Sequence, residues 1–154
     1  MTKRDVNEPT EPSRDLLRAT AVIAPRETGE RIASTAPVPS SVLLVEDNVI
    51  IAWDAEETLK RLGVGLVITA SSVSQALAAI EKQPPSFALL DVDLGIETSF
   101  AVAEQLMGAG VPFAFVTGYG EQIALPVIFA DVPKIGKPYS VDTLRAVLSG
   151  GPAL

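Results

Sequence analysis

Short apolar runs, each closed by a polar or charged residue, set the rhythm of residues 41–154. Val42-Leu43-Leu44-Val45 ends at Glu46-Asp47, and Leu66-Val67-Ile68 ends at Thr69. Phe87-Ala88-Leu89-Leu90 ends at Asp91, Phe113-Ala114-Phe115-Val116 at Thr117, and Val132 to Gly136 at Lys137-Pro138. Runs of this length bounded by Gly, Pro or charge predict strands buried in a parallel sheet. Between them the period changes. Ile51, Ala55, Leu59 and Leu62 recur every three or four residues and predict an amphipathic helix closed by Gly63. Glu56–Lys60 and Glu57–Arg61 are i,i+4 pairs on it in the favourable order. Ser72 predicts the cap of a helix carrying Ala76, Leu77 and Ile80 and ending before Pro84-Pro85. A third helix is expected from Phe100 to Met107, stopped by Gly108 and Gly110, and the last from Ser140 or Val141 to Leu148. Tyr119 to Asp131 contains Gly120 and Pro126 with irregular apolar spacing, so the fourth helix should be short or irregular. Strand alternating with helix predicts an α/β fold with a parallel sheet and right-handed crossovers.

The first 40 residues break the pattern. They hold five prolines among scattered Thr, Ser and Glu, a composition expected of a disordered leader. Within it, Arg14 to Ala24 has the makings of about two or three helical turns, too few to be stable alone in water. Residues 150–154 are expected to be a tail, and no output domain is expected behind the last helix.

Composition removes several classes of function. With no Cys and no His, disulfides, thiolate or imidazole metal sites, His general bases and a phosphohistidine on this chain are excluded. Net charge is −7, and residues 41–154 carry all of the excess, because the leader's charges cancel. An acidic domain without a basic patch is a poor partner for nucleic acid. No apolar run approaches the roughly 20 residues of a membrane helix. No apolar stretch follows the basic residues of Met-Thr-Lys-Arg-Asp, so no secretory signal is read there and a cytoplasmic location is expected.

The candidate chemistry sits where the apolar runs stop. In an open parallel sheet, ligands bind beyond the carboxyl ends of the strands. Glu46, Asp47, Asp91, Thr117 and Lys137 would meet there. Singly, each is ordinary: a Glu-Asp pair suits a solvated loop, and Thr117-Gly118 suits a turn. Together, three carboxylates repel one another and lose solvation, a conflict that a divalent cation relieves. Mg²⁺ takes oxygen ligands and keeps several waters. An Asp carboxylate can then act as nucleophile and form an aspartyl-phosphate. An ammonium, a hydroxyl and the metal would neutralise the oxygens of the transferring group.

Strand-end placement, order along the chain and separations of 44, 26 and 20 residues between Asp47, Asp91, Thr117 and Lys137 resemble the receiver domain of two-component response regulators. The resemblance covers residues 41–149. It implies a flavodoxin-like, doubly wound (βα)5 fold with strand order 2-1-3-4-5. It also implies that Asp91 is the phosphoacceptor, that Glu46, Asp47, Asp91 and the backbone carbonyl of Asp93 hold Mg²⁺, that Thr117 is the switch hydroxyl and Lys137 the conserved lysine, and that Lys137-Pro138 is cis. The donor would be a histidine kinase or a histidine phosphotransfer protein, and the chain would be a phosphoacceptor that assists its own phosphorylation and dephosphorylation rather than an enzyme. Pro112-Phe113-Ala114-Phe115-Val116-Thr117-Gly118-Tyr119-Gly120 and the run at 95–100 resemble the alphaproteobacterial FAT GUY subfamily, whose members often serve general-stress signalling. Val116 stands where that motif has Ala. Lys134 stands where receivers usually carry an aromatic switch residue, and Tyr119 is the nearest substitute. Gly95 and Ser99 replace the usual Pro and Gly after the phosphoacceptor. An alternative is a haloacid-dehalogenase-like phosphatase using Asp91-Val92-Asp93 with Asp93 as general acid, although that motif normally lies on the first strand.

Overall fold

The computed structural model describes residues 37–118 and 123–150. Residues 1–36 of the expected leader, the proposed switch residue Tyr119 and the last four residues lie outside them.

Five parallel strands form one sheet in the order β2-β1-β3-β4-β5. They are β1 (Ser41–Val45), β2 (Leu66–Ala70), β3 (Phe87–Asp91), β4 (Phe113–Thr117) and β5 (Lys134–Gly136). Among the described residues, four helices connect and flank them: α1 (Val49–Arg61), α2 (Val73–Lys82), α3 (Phe100–Gly108) and α4 (Val141–Leu148). The sheet order expected from the sequence is therefore present. Between β4 and β5 the described chain forms only the single 3₁₀ turn Val127–Phe129, in place of a regular helix. Gly120 and Pro126 foretold that irregularity.

Alternating side chains of each strand feed two apolar layers. On one face Leu43, Val45, Leu90 and Phe115 meet Ala76 and Ile80 of α2 and Val102 and Leu106 of α3. On the other, Val42, Leu44, Leu89 and Val116 meet Leu59 of α1 and Leu144 and Leu148 of α4. Because β1, β3 and β4 are covered on both faces, they read as unbroken apolar runs.

Local capping fixes where each element begins. Asn48 Oδ1 accepts the Ile50 and Ile51 amides, at 3.0 and 3.1 Å, and starts α1. Ser72 Oγ accepts the Gln75 amide at 3.2 Å, and Ser140 Oγ accepts the Thr143 amide at 3.1 Å. Of the two ion pairs expected on α1, Lys60–Glu56 forms at 2.8 Å. Arg61 instead donates to Thr58 Oγ1 at 3.2 Å, one turn back. The fifth strand is shorter than the apolar run suggested. Val132 is bonded back to Phe129, and Pro133 contributes only its carbonyl, which accepts the Phe115 amide at 2.9 Å, so residue pairing starts at Lys134.

Candidate functional site

Register delivers the polar residues to one end of the sheet. Val45 pairs with Ala70 on one side and Leu90 on the other, so Glu46 and Asp91 leave the sheet side by side. Asp91 is level with Val116, and Thr117 with Gly136. Lys137 follows at once, and its amide donates to the Thr117 carbonyl at 2.8 Å. The Lys137–Pro138 peptide bond is cis.

Glu46, Asp47 and Asp91 each place a carboxylate oxygen within 4.8 Å of the others. Glu46 and Asp91 are buried, while Asp47 is exposed. Lys137 Nζ lies 2.8 Å from Asp91 Oδ2 and 2.8 Å from Glu46 Oε2. The second Glu46 oxygen accepts the Asn48 amide at 2.9 Å, which fixes its rotamer. Asp91 Oδ1 accepts a longer bond from the Asp93 amide, at 3.2 Å. Hard carboxylate oxygens converging at this spacing match the donor set Mg²⁺ prefers, so the residues present fit that ion.

Burial pushes the Asp91 carboxyl above its ordinary range, and the bonds from Lys137 oppose that rise without cancelling it. For Lys137, burial would lower the pKa, but its hydrogen bonds to Asp91 and Glu46 outweigh it and the net shift is upward. The ammonium therefore stays charged through the physiological range. Tyr139 is pushed up to about 12, first by burial and then by the Glu46 charge.

Thus four of the residues singled out from the sequence, Glu46, Asp47, Asp91 and Lys137, come together. Thr117 is half-buried at the neighbouring strand end, and among the described residues none of the three carboxylates takes a bond from its hydroxyl. Asp93 belongs to the loop after β3, where an isolated bridge pairs it with Thr98. The bonds of that bridge run from Ser99 to Val92 and from Leu94 to Glu97, so the bridge does not use the Asp93 carbonyl. Its side chain accepts the Gly95 amide at 2.9 Å, so it shapes the loop instead of presenting a general acid. Tyr139 was not a candidate from sequence, its only signal being its place beside Lys137-Pro138. It lines a groove of about 610 Å³ with Ile50, Trp53, Asp54 and Lys137. Lys134, at the position of the usual aromatic, donates to the carbonyls of Val132 at 2.8 Å and Ala130 at 3.3 Å.

A doubly wound parallel sheet with acids on the ends of its first and third strands and a lysine after its fifth defines a flavodoxin-like α/β domain with an acidic site at the carboxyl ends of its strands. Comparison with known proteins narrows this. The solution structure of SdrG from Sphingomonas melonis Fr1 shares 36% identity, with a TM-score of 0.63, over 71% of this chain and 94% of that one. The solution structure of the receiver domain of the PhyR response regulator from Erythrobacter litoralis shares 28% identity, with a TM-score of 0.60, over 72% of this chain and 88% of that one. Phyllosphere-induced regulator PhyR from Methylorubrum extorquens is 29% identical over 126 residues, 80% of this chain. The chain spans about half (46%) of that protein's length. No protein-family model matches the chain. The chain belongs to the response regulator receiver (CheY-like) family of two-component phosphorelay signalling. Among the described residues, no helix is long and apolar enough to cross a membrane.

Proposed function

We propose that residues 41–149 act as a phosphoacceptor module in which Asp91 takes a phosphoryl group from the phosphohistidine of a histidine kinase or histidine phosphotransfer protein. The observation that carries this reading is the single ammonium of Lys137 bridging Asp91 and Glu46 at 2.8 Å each, with Asp47 alongside. An Asp91 carboxylate oxygen attacks phosphorus, and the P–O bond forms as the P–N bond to the donor imidazole breaks. The electron pair of that bond leaves with the imidazole. Lys137 sits where it can follow the negative charge as it moves from the carboxylate to the phosphoryl oxygens, and Thr117 supplies a hydroxyl donor from the adjacent strand end. Glu46, Asp47, Asp91 and the Asp93 carbonyl would hold Mg²⁺, which neutralises charge on the transferring group when bound. The sequence has no His, so none of its own residues can be the phosphohistidine donor.

The Pro112–Gly120 stretch supports a place in the FAT GUY subfamily, and the likeness to a structure described as the PhyR stress response regulator supports a role in stress signalling. The modified domain would then act through another protein in the cytoplasm, or serve as a phosphate sink, with residues 1–40 as a leader. The haloacid-dehalogenase reading finds no support in the loop role of the Asp93 side chain. Intact mass after incubation with acetyl phosphate and Mg²⁺, or with a phosphorylated kinase, tests the assignment. A phosphoryl adduct is expected on the native chain and none on Asp91→Ala, and an adduct persisting in that variant would overturn the role of Asp91.

A further inference from the structure

The loop that carries Asp93 is tied to a part of the molecule that the phosphoacceptor chemistry does not use. Glu97 Oε2 accepts the backbone amide of Val73 at 3.0 Å. Val73 is the first residue of α2, and its amide has no partner inside the helix. The other first-turn devices are local: Ser72 Oγ takes the Gln75 amide, and Gln75 Oε1 takes the Ser71 amide at 2.8 Å. Glu97 alone comes from 24 residues away.

Sheet order gives this bond its meaning. With the order β2-β1-β3, a link from the loop after β3 to the helix after β2 must span the end of β1. That end is where Glu46 and Asp47 emerge, and the Glu46 amide is itself bonded to Ala70 at the end of β2 at 3.0 Å. Under the link, the loop is a narrow hairpin. Asp93 bridges Thr98, the Leu94 amide donates to the Glu97 carbonyl at 2.9 Å, and Leu94 is buried. Gly95 turns the tip with φ +88°, close enough that a Cβ there would lie 3.5 Å from Asp47 Oδ2. The loop thus lies against one acidic residue while carrying the carbonyl of Asp93, and Glu97 is its tether on the far side.

We propose that Glu97 is a positioning residue: by holding the Val73 amide it fixes the 93–98 loop against Asp47 and so sets the geometry in which the Asp93 carbonyl and the acidic pair meet a divalent cation. This rests on the phosphoacceptor reading above. Groups that orient metal ligands typically cost about 10-fold to 100-fold in affinity when lost.

Two variants separate reach from charge. Glu97→Asp keeps the charge but is one methylene short of Val73, whereas Glu97→Gln keeps the reach and an acceptor oxygen. Mg²⁺ binding, followed by calorimetry and by fluorescence of the single tryptophan, Trp53, is expected to weaken about tenfold in Glu97→Asp and to stay within about threefold of the native chain in Glu97→Gln. Ser72→Ala removes a neighbouring cap of the same helix and is expected to leave Mg²⁺ affinity unchanged. In the metal-free protein, amide exchange at Val73 and residues 94–98 is expected to rise in Glu97→Asp only. Native affinity in Glu97→Asp, or an equal loss in Ser72→Ala, would overturn the inference while leaving the phosphoacceptor reading intact. A native chain that binds no Mg²⁺ would instead remove the reading on which the inference rests.

Discussion

Lys137 reaches Asp91 from two strands away. β5 is separated from β3 by β4, yet Lys137 Nζ lies 2.8 Å from Asp91 Oδ2. Adjacent strands are spaced about 4.8 Å apart, so the long lysine stem bridges the end of β4 to make this contact. The same nitrogen holds Glu46 on β1. One cation therefore joins the ends of three strands, which explains why two buried carboxylates coexist on a chain of net negative charge. It also leaves Asp47 as the carboxylate of the trio that Lys137 does not contact among the described residues.

This partial compensation has a pH signature. Asp91 keeps its proton to higher pH in the folded chain than in the unfolded one, because burial outweighs Lys137. Its contribution to stability is whole below the ordinary carboxylate value of about 4 and is lost as pH rises through the raised folded value. Asp91→Asn keeps the shape without the charge. Without Mg²⁺, the variant's melting temperature is expected to exceed that of the native chain by a margin that grows between about pH 4 and pH 7. Mg²⁺ should close the gap by stabilising only the native chain. A margin independent of pH would show that Lys137 fully compensates Asp91.

Asp47 is exposed and lacks the Lys137 contact, so its carboxylate is freest to bind a cation. Asp47→Asn is expected to weaken Mg²⁺ binding by about tenfold or more and to slow phosphorylation, with the fold unchanged. Trp53 shares a groove with Lys137 and reports the titration. Unchanged affinity would place the cation elsewhere.

Phe129 ties the chain between β4 and β5 to the core. It is fully buried although it sits on a single 3₁₀ turn, and its ring centroid lies 5.3 Å from Phe115 and 5.8 Å from Phe100. Phe129→Ala should cost about 3–5 kcal/mol, and Phe129→Leu, which refills much of the volume, clearly less. Urea denaturation measures both. A small loss in Phe129→Ala would mean that this segment closes over the gap.

The features legible in the sequence were those encoded by short-range pattern. Runs buried on both faces, such as Leu43–Val45 and Phe87–Leu90, identified the inner strands, and charges at their ends identified Glu46, Asp47, Asp91 and Lys137. Sheet order and the role of each acid came from family resemblance, since apolar periodicity carries no information on which strands are neighbours. What stayed hidden depends on distant partners. Glu97 shows no partner until the sheet brings Val73 to it, and Tyr139 carries no signal until the fold sets it in the groove beside Lys137. The length of β5 was overestimated because Val132 is apolar, yet its amide is used in a turn.

The remaining expectation concerns how a phosphoryl group on Asp91 would be sensed. Thr117 ends β4, and a bond from its hydroxyl to a phosphoryl oxygen would exist only in the modified state, so it biases whatever follows the strand. The usual aromatic partner on β5 is replaced by Lys134, whose ammonium is already bonded to the carbonyls of Ala130 and Val132. That holds one end of the connection and leaves Val127 and Ile128 exposed, at 87% and 55%. Residues 123–128 are held only by the part-buried Ile123 and Leu125, which pack on the core, by Phe129 next to them and by one 3₁₀ turn, so local opening is within reach. Their amides are expected to exchange fast in the unmodified protein and to gain protection with Mg²⁺ plus beryllofluoride, a mimic of aspartyl-phosphate. Thr117→Ala should abolish that gain. Tyr119→Ala should reduce it and weaken partner binding, while Asp91 still accepts a phosphoryl group in intact-mass measurements. Equal exchange in both states would place the responsive surface on another element, with α1 the first to examine, because Ile50 and Trp53 border the groove that Lys137 lines.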